Sequence, residues 1–331
     1  MAKNANLKAA KEAQNDEFYT QYDDIQKEIN AYLEFDPDLF RGKTILLPCN
    51  DPEWSNFTKF FAQNFEALGL RRLVGTSFDW AGKVFVLDRG ANGDGHVNIH
   101  DLEWRYLEGT GDFRSHEVTR LRDEVDMIVT NPPFSLFREF MDWLVESGKQ
   151  FAVIGNLNAL SYPNILPLIQ ADRLWLGATG VRLKTFITPA GAPVEIADTC
   201  WYTNIDHGGR HQHLPLKTML HNILYSRHPL VHIRCYLRYD NYDAIDVPYI
   251  DAIPSDCGGI MGVPIAFLDK YCPEQFEILG ITDRGSPYII KRYNRKDYPN
   301  YSELNRGATI RLNSKIQVTY TRLLIRKRKQ Q

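Results

Sequence analysis

The chain has 331 residues, enough for one α/β domain and a smaller companion, and 44% of them are hydrophobic, which supplies a core. Its 39 Lys and Arg against 41 Asp and Glu leave a formal charge of −2, which excludes a protein that coats nucleic acid by net charge but leaves room for a local basic face. No run approaches ~18 uninterrupted apolar residues, and the N-terminus, with Lys3, Lys8, Lys11 and Glu12, has no apolar leader core, so the chain reads as cytoplasmic with no membrane partner.

In chain order, a helix is predicted over Leu7 to Gln14 and a longer one over Tyr22 to Leu33, stopped by Pro37. The first strand is Thr44 to Cys49, an apolar run behind the turn Arg41-Gly42 that ends in Pro48-Cys49-Asn50-Asp51-Pro52. A helix carrying Phe57, Phe60, Phe61 and Phe65 follows as far as Gly69, with Asn50 or Asp51 as its cap. A second strand, Arg71 to Thr76, ends at Ser77-Phe78-Asp79. An inserted hairpin comes next, Val84 to Leu87 and Val97 to Leu102 around a Gly-rich turn. Asn92, Asp94 and Asp101 around Gly95 invite a calcium-loop reading. The first ligand position would be Gly90, the last carboxylate is Asp where Glu is usual, and the flanks are strand-like, so the segment is read as a turn and no metal is assigned.

A helix over Ser115 to Arg122 leads into a strand at Asp126 to Val129. Helical periodicity resumes through Leu136, Phe140, Trp143 and Leu144, followed by a strand at Gln150 to Gly155, a helix near Ile165 to Gln170 and a strand at Arg173 to Gly177. Strands alternating with helices from 44 to 177 predict a doubly wound parallel sheet. From about 178 the pattern changes to short β-like runs, Thr199 to Ile205 and Leu230 to Arg238, with polar loops around 283–307. The five cysteines, Cys49, Cys200, Cys235, Cys257 and Cys272, are far apart and form no Cys-x-x-Cys pair, so they indicate neither a disulfide framework nor a structural zinc site and are read as buried thiols.

The residues that carry chemistry are Asn131-Pro132-Pro133-Phe134, at the end of a short apolar strand. A planar amide, two rigid prolines and an aromatic ring suit the holding of a flat molecule that bears an exocyclic NH2. The Asn131 side-chain oxygen and the Pro132 carbonyl can each accept one amine hydrogen, proline donates nothing, and Phe134 can stack on the ring. An amine gripped by two acceptors keeps its lone pair for an electrophilic methyl group, which is the arrangement of an amino-group methyltransferase. A strand-to-helix turn also sits where open α/β sheets bind ligands. The structural alternative, a plain turn between strand and helix, uses the same residues.

Six segments in order, Asp-Glu-Phe-Tyr-Thr-Gln (16–21), Leu-Pro-Cys-Asn-Asp-Pro (47–52), Gly-Asp-Phe-Arg-Ser (111–115), Asn-Pro-Pro-Phe-Ser (131–135), Trp-Tyr-Thr-Asn-Ile-Asp-His (201–207) and Phe-Leu-Asp-Lys-Tyr-Cys-Pro-Glu-Gln-Phe-Glu-Ile-Leu-Gly (267–280), resemble the EcoRI-type adenine-specific DNA methyltransferases. The resemblance implies a Rossmann-like class I methyltransferase sheet with helices on both faces and an irregular target-recognition region. It implies S-adenosyl-L-methionine as cofactor, N6 of a flipped-out adenine in double-stranded DNA as target, and a restriction-modification context with a cognate restriction endonuclease acting on the same site. The expected division is 1–40 for an N-terminal helical segment covering the cofactor site, 41–180 for the catalytic domain, and 181–331 for remaining sheet strands and the recognition region. Since one flipped base needs one active site, a monomer is expected.

In these terms Asn131, Pro132, Pro133 and Phe134 are the catalytic set. Tyr19 and Thr20 cover the methionine end of the cofactor, Asp51 faces its ammonium, Asp79 its ribose, Asp112 its adenine amine and Phe113 its adenine ring, with Pro48, Asn50 and Asn131 also at the cofactor. The turn after the first strand departs from the usual Gly-x-Gly, so contact there falls to side chains or to the Asn50 and Asp51 backbone. A dehydrogenase would need Gly-x-Gly-x-x-Gly at this place, and it is absent. Cys49 ends the first strand and is read as structural, not as a cytosine-type nucleophile. An RNA or small-molecule amino methyltransferase, or an inactive methyltransferase fold that binds DNA, remain as alternatives. The basic clusters Lys291, Arg292, Arg295 and Lys296, interleaved with Tyr288, Tyr293 and Tyr298, and Arg322, Arg326, Lys327, Arg328 and Lys329 are candidate DNA faces, the second also reading as a frayed tail. His207, Arg210 and His211 are candidates for a target-facing loop.

Overall fold

The computed structural model describes residues 19–50, 55–78, 82–89, 101–188, 191–313 and 315–328. The predicted helix over Leu7 to Gln14 lies outside them. The chain divides into two compact units, one of the described residues up to Ile165 together with Arg173–Gly208, the other of Leu166–Asp172 and Gly209 onward. The main boundary between the units falls after residue 208, inside the 181–331 segment that was expected to hold both sheet strands and the recognition region. The segment after 180 returns two long strands to the first sheet before the second unit begins.

The first unit is built on a mixed sheet. Its strands are β1 (Tyr19–Thr20), β2 (Thr44–Leu47), β3 (Arg72–Ser77), β4 (Lys83–Asp88), β5 (Glu103–Tyr106), β6 (Met127–Thr130), β7 (Gln150–Asn156), β8 (Trp175–Leu176), β9 (Arg182–Ile187) and β10 (Pro193–Thr203). They lie in the order β1-β9-β10-β7-β6-β2-β3-β4-β5, with β8 also on β10. The four central strands are parallel, with Ile45 beside Met127 and Leu73, and Val129 beside Ala152. The remainder are antiparallel and extend the parallel sheet expected over 44–177. The reason is connection length: β3 reaches β4 through a short link, which allows only a hairpin, whereas a parallel neighbour needs a crossover of a dozen residues or more. The second strand of that inserted hairpin is Glu103–Tyr106, later than the predicted Val97 to Leu102, of which 97–100 lie outside the described residues.

Helices α1 (Tyr22–Phe35), α2 (Asn56–Gln63), α3 (His116–Glu124) and α4 (Phe137–Ser147) flank the sheet. Alternation along the strands sorts them. Ile45, Leu47, Met127, Val129, Ala152 and Ile154 share one core with Ile25 and Ile29 of α1 and Phe57, Phe60 and Phe61 of α2. Leu46, Ile128, Phe151 and Val153 are buried on the opposite face, where the Phe137 ring of α4 fills the space a Cβ on Gly155 would need. Helices on both faces are thus as expected. The first helix ends with Asp36 in extended conformation ahead of Pro37, a residue that disfavours helix before it.

In the second unit, β11 (Ile245–Asp246), β12 (Met261–Pro264), β13 (Phe276–Ile281) and β16 (Arg322–Lys327) form a sheet in the order β11-β12-β16-β13, beside a hairpin of β14 (Thr309–Leu312) and β15 (Lys315–Val318). The run Leu230 to Arg238, read as β-like, instead starts with a helix, Pro229–Arg234, because Pro229 occupies the first helical position where its missing N–H costs nothing. Most of the C-terminal basic cluster is built into the fold: Arg322–Lys327 is a central strand, with Arg322 against buried Asp246 and Lys327 donating to the Ser255 carbonyl, while Arg326 and Arg328 are exposed and Lys329 lies outside the described residues. The cysteines are all unbridged, but only Cys200 and Cys272 are buried; Cys235 is exposed, and Cys49 and Cys257 are partly so. Among the described residues, no helix is long and apolar enough to cross a membrane.

Candidate active site

Strands β2 and β6 are neighbours, yet the chain leaving β2 crosses to β3 on one side and the chain leaving β6 crosses to β7 on the other. Two outgoing connections that diverge open a crevice at the carboxyl ends of the strands, which is where α/β sheets take their ligands. Pro48-Cys49-Asn50 and Asn131-Pro132-Pro133-Phe134 are the two segments that border it.

The first of these is a closed network. The Asn50 amide donates to the Pro48 carbonyl and to Thr130 Oγ1, both at 2.8 Å, and its Oδ1 accepts from Ser55 Oγ at 2.7 Å. The Asn50 backbone N–H donates to the Thr76 carbonyl at 2.8 Å, and Thr130 Oγ1 donates to the Pro48 carbonyl at 2.5 Å. Three strand ends, β2, β3 and β6, are tied together by the side chain and backbone N–H of one residue, 6% exposed. Cys49 takes the left-handed conformation at φ 61°, in a turn that has no glycine. Asn50 was expected to face the cofactor; its amide and N–H are committed to the turn. Nor does it cap α2. Ser55 does, accepting from Phe57 N and Thr58 N, and Asn50 holds Ser55 in place. Asp51, the other proposed cap, lies outside the described residues, as does Asp79.

The second segment follows four buried strand residues. Pro132 is buried, and Asn131, Pro133 and Phe134 are half-buried, with the Asn131 Oδ1 atom itself out of solvent. Pro133 precedes a 3-10 turn over Phe134–Leu136 that closes through Leu136 N to the Pro133 carbonyl at 3.0 Å and runs on into α4. The Phe134 ring stands perpendicular to Phe186 of β9, 6.1 Å between centroids. Phe186 is the register partner of Thr20 in β1, so the N-terminal segment and the Asn-Pro-Pro-Phe segment meet across one buried ring. Thr20 is 3% exposed, its carbonyl accepts from Asn56 Nδ2 at 2.7 Å, and its Oγ1 has no hydrogen-bond partner among the described residues.

Gly111 brings the third segment in. It has φ 78°, and a Cβ there would sit 2.0 Å from the Ser77 carbonyl oxygen, so only glycine lets this loop touch the end of β3. Asp112 beside it is already engaged: both oxygens accept from Arg114, at 2.9 and 2.6 Å, and this pairing holds the carboxyl below its ordinary range. Phe113 is 2% exposed and packs edge-on to Phe140 and Trp143, with the Arg114 guanidinium over its ring. Phe113, expected against an adenine ring, anchors the loop in the layer of α4.

Two residues at the site were missed in the sequence. Lys184 is two positions from Phe186 on the same face of β9; it is 3% exposed, 3.8 Å from Asp24 Oδ1 and over the Trp201 ring. Burial lowers its ammonium pKa, and Asp24 and Glu28 only partly offset this. Glu28 is fully buried and its carboxylate accepts from the Ala178 and Thr179 backbone N–H groups and the Thr179 hydroxyl. The alternation of Lys184 and Phe186 was the only signal available, and an alternating strand reads as half-exposed unless something covers its second face. Of the other expectations, His207 is buried with Nε2 on the Leu176 carbonyl, Arg210 pairs with Asp172 and His211 with Glu274, so all three side chains have partners within the protein.

The sequence comparisons agree with this architecture. The family described as adenine-specific methyltransferase EcoRI matches residues 6–328. The Type II methyltransferase M.EcoRI of Escherichia coli is 37% identical over 308 residues, which cover 84% of this chain and 90% of that protein. The Type II methyltransferase M.MpnI of Mycoplasma pneumoniae is 36% identical over 82% of this chain and 83% of its own, and M.MgeORF184P of Mycoplasma genitalium 33% identical over 96% and 97%. With the match running through the crevice segments and both units, the chain belongs to the EcoRI-type family of adenine-specific methyltransferases.

Proposed function

We propose that the protein transfers a methyl group from S-adenosyl-L-methionine to N6 of an adenine flipped out of double-stranded DNA, in a restriction-modification context. The observation that carries this reading is Asn131-Pro132-Pro133-Phe134 at the point where β2 and β6 diverge, with Phe134 edge-on to Phe186. Asn131 Oδ1 and the Pro132 carbonyl accept the two amine hydrogens of the target. Conjugation with the purine makes that amine a poor nucleophile, and two fixed acceptors favour the pyramidal nitrogen of the transition state. Phe134 stacks on the target base and offsets part of the few kcal/mol that extruding it costs.

The buried Thr20 Oγ1, a polar group without a partner among the described residues, fits a polar ligand at this edge of the crevice. When bound, the cofactor supplies an electrophilic methyl on sulfur. Tyr19 and Thr20 cover its amino acid end, Asp51 and Asp79 remain the proposed contacts to its ammonium and ribose, and Asp112 reaches its adenine amine by exchanging one Arg114 bond. Asn50 contributes by holding the turn, not by contact. Exposed Arg295 and Lys296 are proposed to meet DNA phosphates, while Lys291 is tied to Asp240 and Tyr293 is buried. One flipped base needs one site, so the active species is a monomer.

The test is transfer of labelled methyl groups from S-adenosylmethionine to duplex DNA, single-stranded DNA and RNA, followed by nucleoside analysis. N6-methyladenine in duplex DNA is the expected product. Label appearing only in RNA would overturn the proposed substrate.

A further inference from the structure

We propose that His213, Cys272 and Glu274, with His211 as a fourth donor, bind a divalent transition metal of the zinc type in the second unit. The imidazole, Sγ and carboxylate oxygen of the first three all lie within 4.8 Å of one another. Cys272 is 0% exposed, while His213 and Glu274 open to solvent, so the cluster has a buried soft donor at its base and an entry path. His211 Nδ1 is 2.9 Å from Glu274 Oε1 and the Cys272 thiol donates to Glu274 Oε2, also at 2.9 Å.

The donor set is one that zinc takes: a thiolate at ~2.3 Å, imidazole at ~2.0 Å and carboxylate at ~2.0 Å, arranged tetrahedrally, with donors roughly 3.5 Å apart. Closing from the observed spread to that arrangement needs shifts of about 1 Å, within the reach of exposed His and Glu rotamers. The ligands come as two short pairs, His211-x-His213 and Cys272-Pro273-Glu274, on segments that are already fixed side by side. Gln275 exchanges two hydrogen bonds with the Leu214 backbone, at 2.8 and 2.9 Å, and Arg328 Nε donates to the Pro273 carbonyl at 2.7 Å. Because these bonds do the stapling, Cys272, His213 and Glu274 are not required for it.

Binding replaces the Cys272 S–H bond by a metal–sulfur bond and releases that proton to solvent; no oxidant or reductant enters. His211 turns from the carboxylate to the metal, or stays behind Glu274 and orients it.

The experiment uses the full chain stripped with a chelator, titrated with zinc against a chromophoric competitor and, separately, with cobalt. One equivalent of zinc with a Kd below about 1 µM, a raised Tm, and a thiolate-to-cobalt charge-transfer band are expected. Cys272→Ser removes the band, and His213→Ala, at an exposed position, weakens zinc binding by at least about tenfold with the fold intact. Zinc affinity and cobalt band that persist unchanged in both variants would assign the metal to another cysteine and overturn the proposal, as would binding no tighter than that of Cys272→Ser. Methyl transfer is not the readout, so the outcome is independent of the proposed reaction.

Discussion

The two strand ends that meet at the crevice each carry an asparagine, and the two sit in different settings. Asn50 is consumed by its own turn, with two donors and one acceptor placed within 2.8 Å of partners on β2, β6 and the start of α2. Asn131 is followed by two prolines, which offer no N–H groups to hold it and fix the chain beyond it. The lesson is that an amide at a strand end takes its role from the groups its turn sets around it. A carbonyl and two hydroxyls make Asn50 a brace, whereas two prolines bring no N–H of their own to Asn131.

Asn131→Ala separates the roles most sharply. Loss of methyl transfer by about 100-fold or more is expected, with the unfolding midpoint within a few degrees of wild type and S-adenosylmethionine binding retained. Single-turnover transfer, calorimetric cofactor binding and a thermal melt measure the three separately. Wild-type turnover in this variant would make the segment a plain turn and erase the contrast with Asn50.

Asn50→Ala reverses the pattern. Removing the amide leaves the Pro48 carbonyl with one donor fewer and strips partners from Thr130 Oγ1 and Ser55 Oγ in a buried setting, so stability falls by about 3 kcal/mol. The enzyme that remains folded at low temperature keeps transfer within roughly tenfold, since the amide touches no substrate in this scheme. Urea melts and kcat on the same preparation decide it. A stable but inactive Asn50→Ala would return this residue to the cofactor.

The difference between the two asparagines was only half legible in the sequence. The turn at Asn131 could be read because its context is local: an apolar strand before it and two prolines and an aromatic after it define it without tertiary information. Asn50 could not, because its partners Thr130 and Thr76 lie 80 and 26 residues away, and the absence of glycine looked like a gap in the cofactor site when it was a different way of building the same turn. The C-terminal basic run failed for a related reason. Arg322, Arg326 and Lys327 sit in a strand whose charges are satisfied by Asp246, Glu277 and the Ser255 carbonyl, and charge counting along the chain cannot see neutralisation by residues from another strand. The parallel core of the sheet, by contrast, was written in four apolar runs, and among the antiparallel additions β4, β8 and the end of β10 were read as strands while β1 and β9, with weaker patterns, were not.

The smallest effect tests how the turn manages without glycine. Cys49 holds φ 61°, a conformation that costs an L-residue about 1 kcal/mol and a β-branched one more, so the network around Asn50 must impose it. Cys49→Gly removes that strain but adds freedom to the unfolded chain worth nearly as much, and the variant should melt within about 0.5 kcal/mol of wild type. Cys49→Val is β-branched, raises the strain and should lose about 1–2 kcal/mol. In the Asn50→Ala background the turn is free to relax out of the left-handed region, so the penalty of the valine should shrink; a double-mutant cycle on urea midpoints reads the coupling directly. Additive losses would mean that the backbone at Cys49 is set by the prolines on either side and not by the asparagine, and the brace would then be a consequence of the turn, not its cause.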